Sequence, residues 1–224
     1  MSDRSERFRA AAEEGLTARS LAESVGGVRG IVESMVPGML FLAVYAFTNE
    51  LMSALIGPVA FGVVSLLVRL VRREPVMPAL AGLLALALSA FLALRSGNDA
   101  DYFLLGFVMN AGWIVAFTVS LLVNWPLVGV GAGLLSGTGS AWRAHRPCLI
   151  AMRWLTLAWI AVSALRLAVQ LPLYLAGNVT GLGAAKLLMG TPMQAVLLVG
   201  TFLVAKGALE KSGILHPNAR GIST

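Results

Sequence analysis

Between Gly26 and Gly207 the chain is a succession of apolar runs of roughly membrane-spanning length, and nothing else in it constrains the fold as strongly. The run LMSALIGPVAFGVVSLLVRLV, Leu51 to Val71, is of this kind. About 20 apolar residues suffice to cross the hydrocarbon core as a helix. Lipid offers the backbone no hydrogen-bond partners, and an open sheet would leave its groups unpaired, so each run is predicted helical.

Six such segments are expected. The first runs from about Val28 to Thr48. Its purely apolar part, VPGMLFLAVYAFT, is short for a span, so the helix must draw in Arg29 and Glu33 at its inner end. The others run from about Leu51 to Val71, Met77 to Leu94, Tyr102 to Val123, Leu149 to Leu175, and from near Leu182 to near Lys206. Composition agrees: 58% of the residues are hydrophobic and 12% charged, and mean hydropathy is +0.81. A soluble domain carries about 25% charged residues. The expected fold is therefore all-α, a polytopic integral membrane helix bundle. Residues 1–25 are read as a cytoplasmic N-terminal arm, 26–207 as the membrane domain and 208–224 as a cytoplasmic tail. The first thirty residues hold no apolar h-region, so the first span is expected to serve as its own insertion signal.

Between the fourth and fifth spans lies WPLVGVGAGLLSGTGSAW, apolar yet too short to cross. Gly129, Gly133 and Gly137 recur every fourth residue, so a helix here would present a smooth glycine face suited to close packing. The segment is read as a short interfacial or re-entrant helix.

Basic residues order the topology. With six spans and the N-terminus inside, the inner segments hold Arg4, Arg7, Arg9, Arg19, Arg29, Arg69, Arg72, Arg73, Arg143, Arg146, Arg153, Lys206, Lys211 and Arg220, which is fourteen of the seventeen Lys and Arg residues. The outer loops hold Arg95 alone, beside Glu50, Asp99 and Asp101. Cytoplasmic loops of membrane proteins carry such an excess. Both termini are therefore expected in the cytoplasm, with the chain in the plasma (inner) membrane. The net charge of +6 is explained by topology, and nucleic acid is not an expected partner.

The two remaining cations, Arg166 and Lys186, fall inside spans, where ionisable groups are costly and become site candidates. In the fifth span Trp159, Ser163, Arg166, Gln170 and Tyr174 share one helix face. In the sixth, Gly183, Lys186, Gly190, Gln194 and Leu197 do the same. The fourth offers Asn110, Trp113, Phe117, Ser120 and Asn124. Arg166 can serve in one of three ways: capping backbone carbonyls or pairing with Glu50 or Asp101, lining a wet cavity that receives an anion, or snorkelling outward. Lys186 can snorkel or join the cavity, with Gln170, Asn110, Gln194 and Tyr174 as its other candidates. Asn110 and Gln194 also fit plain interhelical hydrogen bonding. Arg29 and Glu33 are spaced as an i,i+4 pair.

Catalytic chemistry finds little footing. His145 and His216 are the two histidines, both in expected cytoplasmic segments, and the single cysteine, Cys148, reads as a small packing residue. No GxSxG, HExxH or GxGxxG pattern occurs, and no metal-ligand cluster is spaced within a span. Neither an enzymatic activity nor a cofactor nor a metal is expected.

The segments GGVRGIVESMVPGMLFLAVY, WPLVG, Trp142-Arg143, RLAVQLPLY and LGAAKLLMGTP together resemble an actinobacterial family of uncharacterised six-span membrane proteins, over nearly all of Gly26 to Gly207. More distantly, Leu157-Ala158-Trp159, the Pro-led first span and Lys186 with Gly190 are similar to the intracellular septation protein A family, from which the chain departs by its longer arm and by Arg166. The resemblance implies no known reaction. It implies a non-enzymatic role at the cell envelope, through contacts with envelope or division proteins. The leading expectation is thus an envelope or septation-type protein working through helix–helix and partner contacts. The alternative is a small-solute or anion transporter or channel built around Arg166 and Lys186. A homodimer suits so small a bundle, and the lipid bilayer is a partner in either case.

Overall fold

The computed structural model describes residues 27–214, with side chains from Met35 onward. The expected arm 1–25 and the tail beyond 214 lie outside the described residues, as do the side chains of Arg29 and Glu33. Within 27–214 the secondary structure is entirely helical. The helices are α1 (Gly27–Thr48), α2 (Leu51–Val71), α3 (Met77–Ser96), α4 (Leu104–Leu122), α5 (Leu127–Leu135), α6 (Arg146–Leu175), α7 (Val179–Met189) and α8 (Thr191–Lys211). Short 3-10 turns, Asp99–Phe103 and Ala141–Ala144, lead into α4 and α6.

Local chemistry explains the boundaries. Pro78 stands in the first turn of α3, where its missing N–H is no loss, and Gly97 closes the same helix in the left-handed region with its N–H on the Ala93 carbonyl. Asn98 accepts from the Ala100 N–H at 3.1 Å and starts the 3-10 turn, while Asn178 accepts from the Gly181 N–H at 2.8 Å and starts α7.

Five helical stretches are long and apolar enough to cross a membrane: Leu51–Val71, Met77–Ser96, Asp99–Leu122, Arg146–Leu175 and Val179–Lys211. The chain is a multi-pass membrane protein. The part of α1 with described side chains, Met35–Thr48, is also apolar and helical. One expected span needs correction. The sixth is not one continuous helix: α7 stops at Met189, Gly190 has φ −77° and ψ −117°, and α8 begins at Thr191 with Pro192 in its first turn. The single face expected from Gly183 to Leu197 is therefore interrupted.

The described chain forms two compact units, and the boundary between them falls inside α4, α6 and α8. The first comprises Arg29–Gly112 and Ala164–Met193. Its core is aromatic: Phe41 stacks on Tyr102 at 4.8 Å and meets Phe103 edge-on at 6.1 Å. Tyr45 donates to Asp99 Oδ2 at 2.9 Å and Tyr174 to Asp101 Oδ1 at 2.6 Å, so hydroxyls from α1 and α6 tie down the 3-10 turn.

The second unit comprises Trp113–Ser163 and, among described residues, 27–28 and 194–214. Trp142 is wholly buried at its centre with Cys148 and Met152. The Cys148 thiol lies 3.0 Å from the Ala208 carbonyl oxygen. The turn after α4 is held by two arginines. Arg143 sits 4.1 Å above the Trp125 ring, and Arg153 donates to the side-chain oxygen of Asn124, which adopts φ +57°.

The nine-residue α5 is the expected short helix after the fourth apolar segment, but its glycine face differs from expectation. The helix ends at Leu135, so Gly137, at φ +67°, lies beyond it. Gly129 and Gly133 pack against this chain's own Trp142 and Gly139. A Cβ on Gly129 would stand 2.7 Å from the Trp142 ring, and one on Gly133 would fall on the Gly139 carbonyl oxygen. Gly131 faces open space. Overpacking of this kind costs about 1–3 kcal/mol. Gly133→Ala is expected to lower the thermal unfolding temperature in detergent clearly. Gly131→Ala, which gains up to ~1 kcal/mol of helix propensity, should leave it unchanged or raise it.

Candidate functional site

Arg166 lies well inside a membrane-length helix, two-thirds of the way along α6, where a permanent charge needs compensation. A guanidinium at the centre of a span costs about 3 kcal/mol or more unless it is compensated. The broken helix supplies compensation. At the C-terminus of α7 the last carbonyls have no intrahelical donors and carry the negative end of the helix dipole. Arg166 Nη2 donates to the Gly190 carbonyl oxygen at 2.9 Å, and the residue is 9% exposed. One contact of Arg166 is therefore with a backbone carbonyl. Asp101 accepts from Tyr174, and Glu50 accepts from Ser53 Oγ at 2.7 Å.

The break itself requires glycine. A Cβ on Gly190 would fall on the Lys186 carbonyl oxygen. The negative charge equivalent at the end of α7, the Gly190 carbonyl and the Arg166 guanidinium thus meet within one unit.

Beside this contact lies a cavity of about 160 Å³, lined by Phe103, Gly106, Asn110, Arg166, Gln170, Lys186, Met189 and Gly190. Helical spacing explains the convergence. Gly106 and Asn110 are one turn apart on α4, Arg166 and Gln170 one turn apart on α6, and Lys186 and Met189 share a face of α7. Gln170 is 8% exposed. Lys186 Nζ stands 5.2 Å from the centroids of both the Tyr102 and Phe103 rings, close enough for cation–π attraction. Among residues with described side chains, no carboxylate lines the cavity. The lining therefore presents two cationic groups and two neutral amides.

Four residues singled out from sequence, Arg166, Gln170, Lys186 and Asn110, are thus brought together. Two are not. Tyr174 donates to Asp101, and neither it nor Gln194 is among the cavity's lining residues. Trp159, expected on the same stripe as Arg166, also belongs to the other unit, where it donates to Thr201 Oγ1 at 3.0 Å. The sequence reading missed the aromatic platform under Lys186. It also missed the two tyrosine–aspartate bonds, whose partners are 54 and 73 residues apart. Among the described residues, no three His, Cys, Asp or Glu side chains are grouped to hold a metal ion.

Comparison with known proteins adds a family. A family model described as "Protein of unknown function (DUF3159)" matches residues 25–212. The chain belongs to this family. No curated protein matches it, and no solved structure matches it. The matched span takes in both units' described helices and every residue of the polar cavity.

Because the Gly190 carbonyl is presented only by the break, Gly190→Ala should displace it from Arg166. The expected loss is about 2 kcal/mol of stability, from backbone crowding together with a weakened charge-assisted bond. Thermal unfolding of the purified variant in the wild-type detergent measures it. Gly112→Ala, on α4 with open space around it, serves as the neutral control.

Proposed function

We propose that this membrane protein takes a small anion, of the size of phosphate or a short carboxylate, into the polar cavity of its first unit, as the binding step of a small transporter or channel. One observation carries the reading: Arg166, Lys186, Gln170 and Asn110, drawn from three helices, converge on one cavity. Its 160 Å³ holds about five waters, or one small oxyanion, at ~30 Å³ per water. Arg166 donates to the Gly190 carbonyl, and Lys186 stands over the Tyr102 and Phe103 rings. The amides of Gln170 and Asn110 can donate to bound oxygens. The basic-residue asymmetry supports six crossings with α1 as the first, α5 at the membrane interface, both termini cytoplasmic and the plasma membrane as the site.

An envelope or septation role rests on sequence likeness alone. The helix face it relied on, Gly129 and Gly133, is closed by Trp142 and Gly139 of the same chain.

The test uses purified protein titrated with inorganic phosphate at constant ionic strength. Wild type should unfold at higher temperature as phosphate rises, and Lys186→Gln should need about tenfold more for the same effect, as loss of one charge-assisted bond implies. In a Cys148→Ala background, Gln170→Cys should react with a water-soluble maleimide from one side of the membrane. A wild type indifferent to phosphate, together with no labelling from either side, contradicts the proposal.

A further inference from the structure

The second unit gathers positive charge at one end of its spans. α4 ends at Leu122 and α6 begins at Arg146, so the residues around Asn124 and Arg143 stand at the level of a bilayer surface when those helices cross. Two guanidinium groups converge there on one residue. Arg153 of α6 donates to the Asn124 side-chain oxygen, and Arg143 Nη2 donates to the Asn124 backbone carbonyl oxygen at 3.5 Å. Arg143 also lies 4.1 Å above the Trp125 ring, and Trp125 meets the wholly buried Trp142 edge-on at 6.5 Å, so the core anchors this platform. Arg146 lies on the face of α6 that carries Arg153, two turns before it. On the same side of α6, Ile150, Trp154 and Leu157 are exposed. Among its described residues this unit holds Arg143, Arg146, Arg153, Lys206 and Lys211 against one carboxylate, Glu210, which stands 3.8 Å from Lys206.

We infer that Arg143 and Arg153, with Arg146 beside them, bind the phosphate of an anionic phospholipid. Asn124 offers the two arginines oxygen atoms but no charge, so two permanent cations held on one residue repel each other until an anion joins them. The donors for that anion are present. A guanidinium has five N–H donors in one plane, and stacking on Trp125 engages the face of Arg143 while leaving its edge for in-plane oxygens. Edge-on donation by arginine is the usual geometry of phosphate recognition. An anionic head group fits better than a zwitterionic one, because choline or ethanolamine would bring a further cation into a unit already rich in them. The exposed Ile150, Trp154 and Leu157 beside the arginines favour a lipid over free phosphate, since they offer the tails an apolar wall. Basic pockets between membrane helices hold phospholipid head groups in this way. The inference uses residues of the second unit alone and is independent of the anion cavity.

The experiment titrates delipidated full-length protein with phosphatidylglycerol or phosphatidylcholine in mixed micelles and follows thermal stability, with native mass spectrometry reading retained lipid. Wild type should be stabilised more by phosphatidylglycerol and should retain it. Arg143→Gln and Arg153→Gln should each reduce that preference about fivefold. Asn124→Asp keeps an oxygen for Arg153 and puts a carboxylate between the guanidinium groups, and aspartate tolerates the φ of +57° as asparagine does. Lipid-free, this variant should unfold at or above the wild-type temperature, while its preference for phosphatidylglycerol falls. Arg72→Gln, which removes an exposed cation of the first unit, should leave the preference unchanged. Equal stabilisation by both lipids, or a preference that survives in Asn124→Asp, overturns the inference. So does a loss in Arg72→Gln as large as that in Arg143→Gln, which would mean general charge attraction in place of a site. Displacement of the lipid by an equal concentration of inorganic phosphate also overturns it, by showing that the arginines take the free ion.

Discussion

Inside lipid, every backbone carbonyl and N–H must find a partner within the protein, and this requirement explains the most unusual contact in the chain. A continuous helix from Val179 to Lys211 would have satisfied it without help. The helix is broken at Gly190 instead, and a broken helix in a membrane needs polar company. Arg166 supplies it from α6 at 2.9 Å. Each expensive element makes the other tolerable: the carbonyls at the end of α7 offset the charge, and the charge offsets the carbonyls.

The same break gives the first unit its chemistry. Because α7 ends at Met189, the end of that helix opens onto a cavity shared with α4 and α6. Lys186 lies one turn before the break, on the Tyr102 and Phe103 rings, and those rings belong to the core that Phe41 and the 3-10 turn build. Tyr45 and Tyr174 hold that turn through Asp99 and Asp101, so the platform under Lys186 is fixed by residues from three separate elements. The second unit uses a short helix in place of a broken one. The nine residues of α5 are closed on one side by Trp142 against Gly129 and Gly133, while Gly131 lines an apolar cleft.

Much of this was legible in the sequence because hydropathy and helical periodicity are local properties. The bounds of α2 follow from its apolar run alone. The faces carrying Arg166 with Gln170, and Asn110 on α4, follow from a 3.6-residue period once the segments are known to be helices. Gly190-Thr191-Pro192 carried a stop and a restart signal as well, but its apolar surroundings read as an uninterrupted span. What could not be read was long-range pairing. Nothing near Gly129 announces that Trp142 will fill its face, since that depends on the turn at Gly137 and Gly139 reversing the chain. The Tyr174–Asp101 bond likewise joins residues whose relation exists only after the bundle forms.

The most direct measurement compares the thermal stability of wild type, Arg166→Leu and Lys186→Leu in one detergent. If Arg166 holds the break at Gly190, Arg166→Leu unfolds at clearly lower temperature, by the equivalent of about 2 kcal/mol for a lost charge-assisted bond, and Lys186→Leu changes far less. An Arg166→Leu protein as stable as wild type, or more stable, would contradict the account. It would mean that removing a buried charge outweighs anything the guanidinium gives to the Gly190 carbonyl.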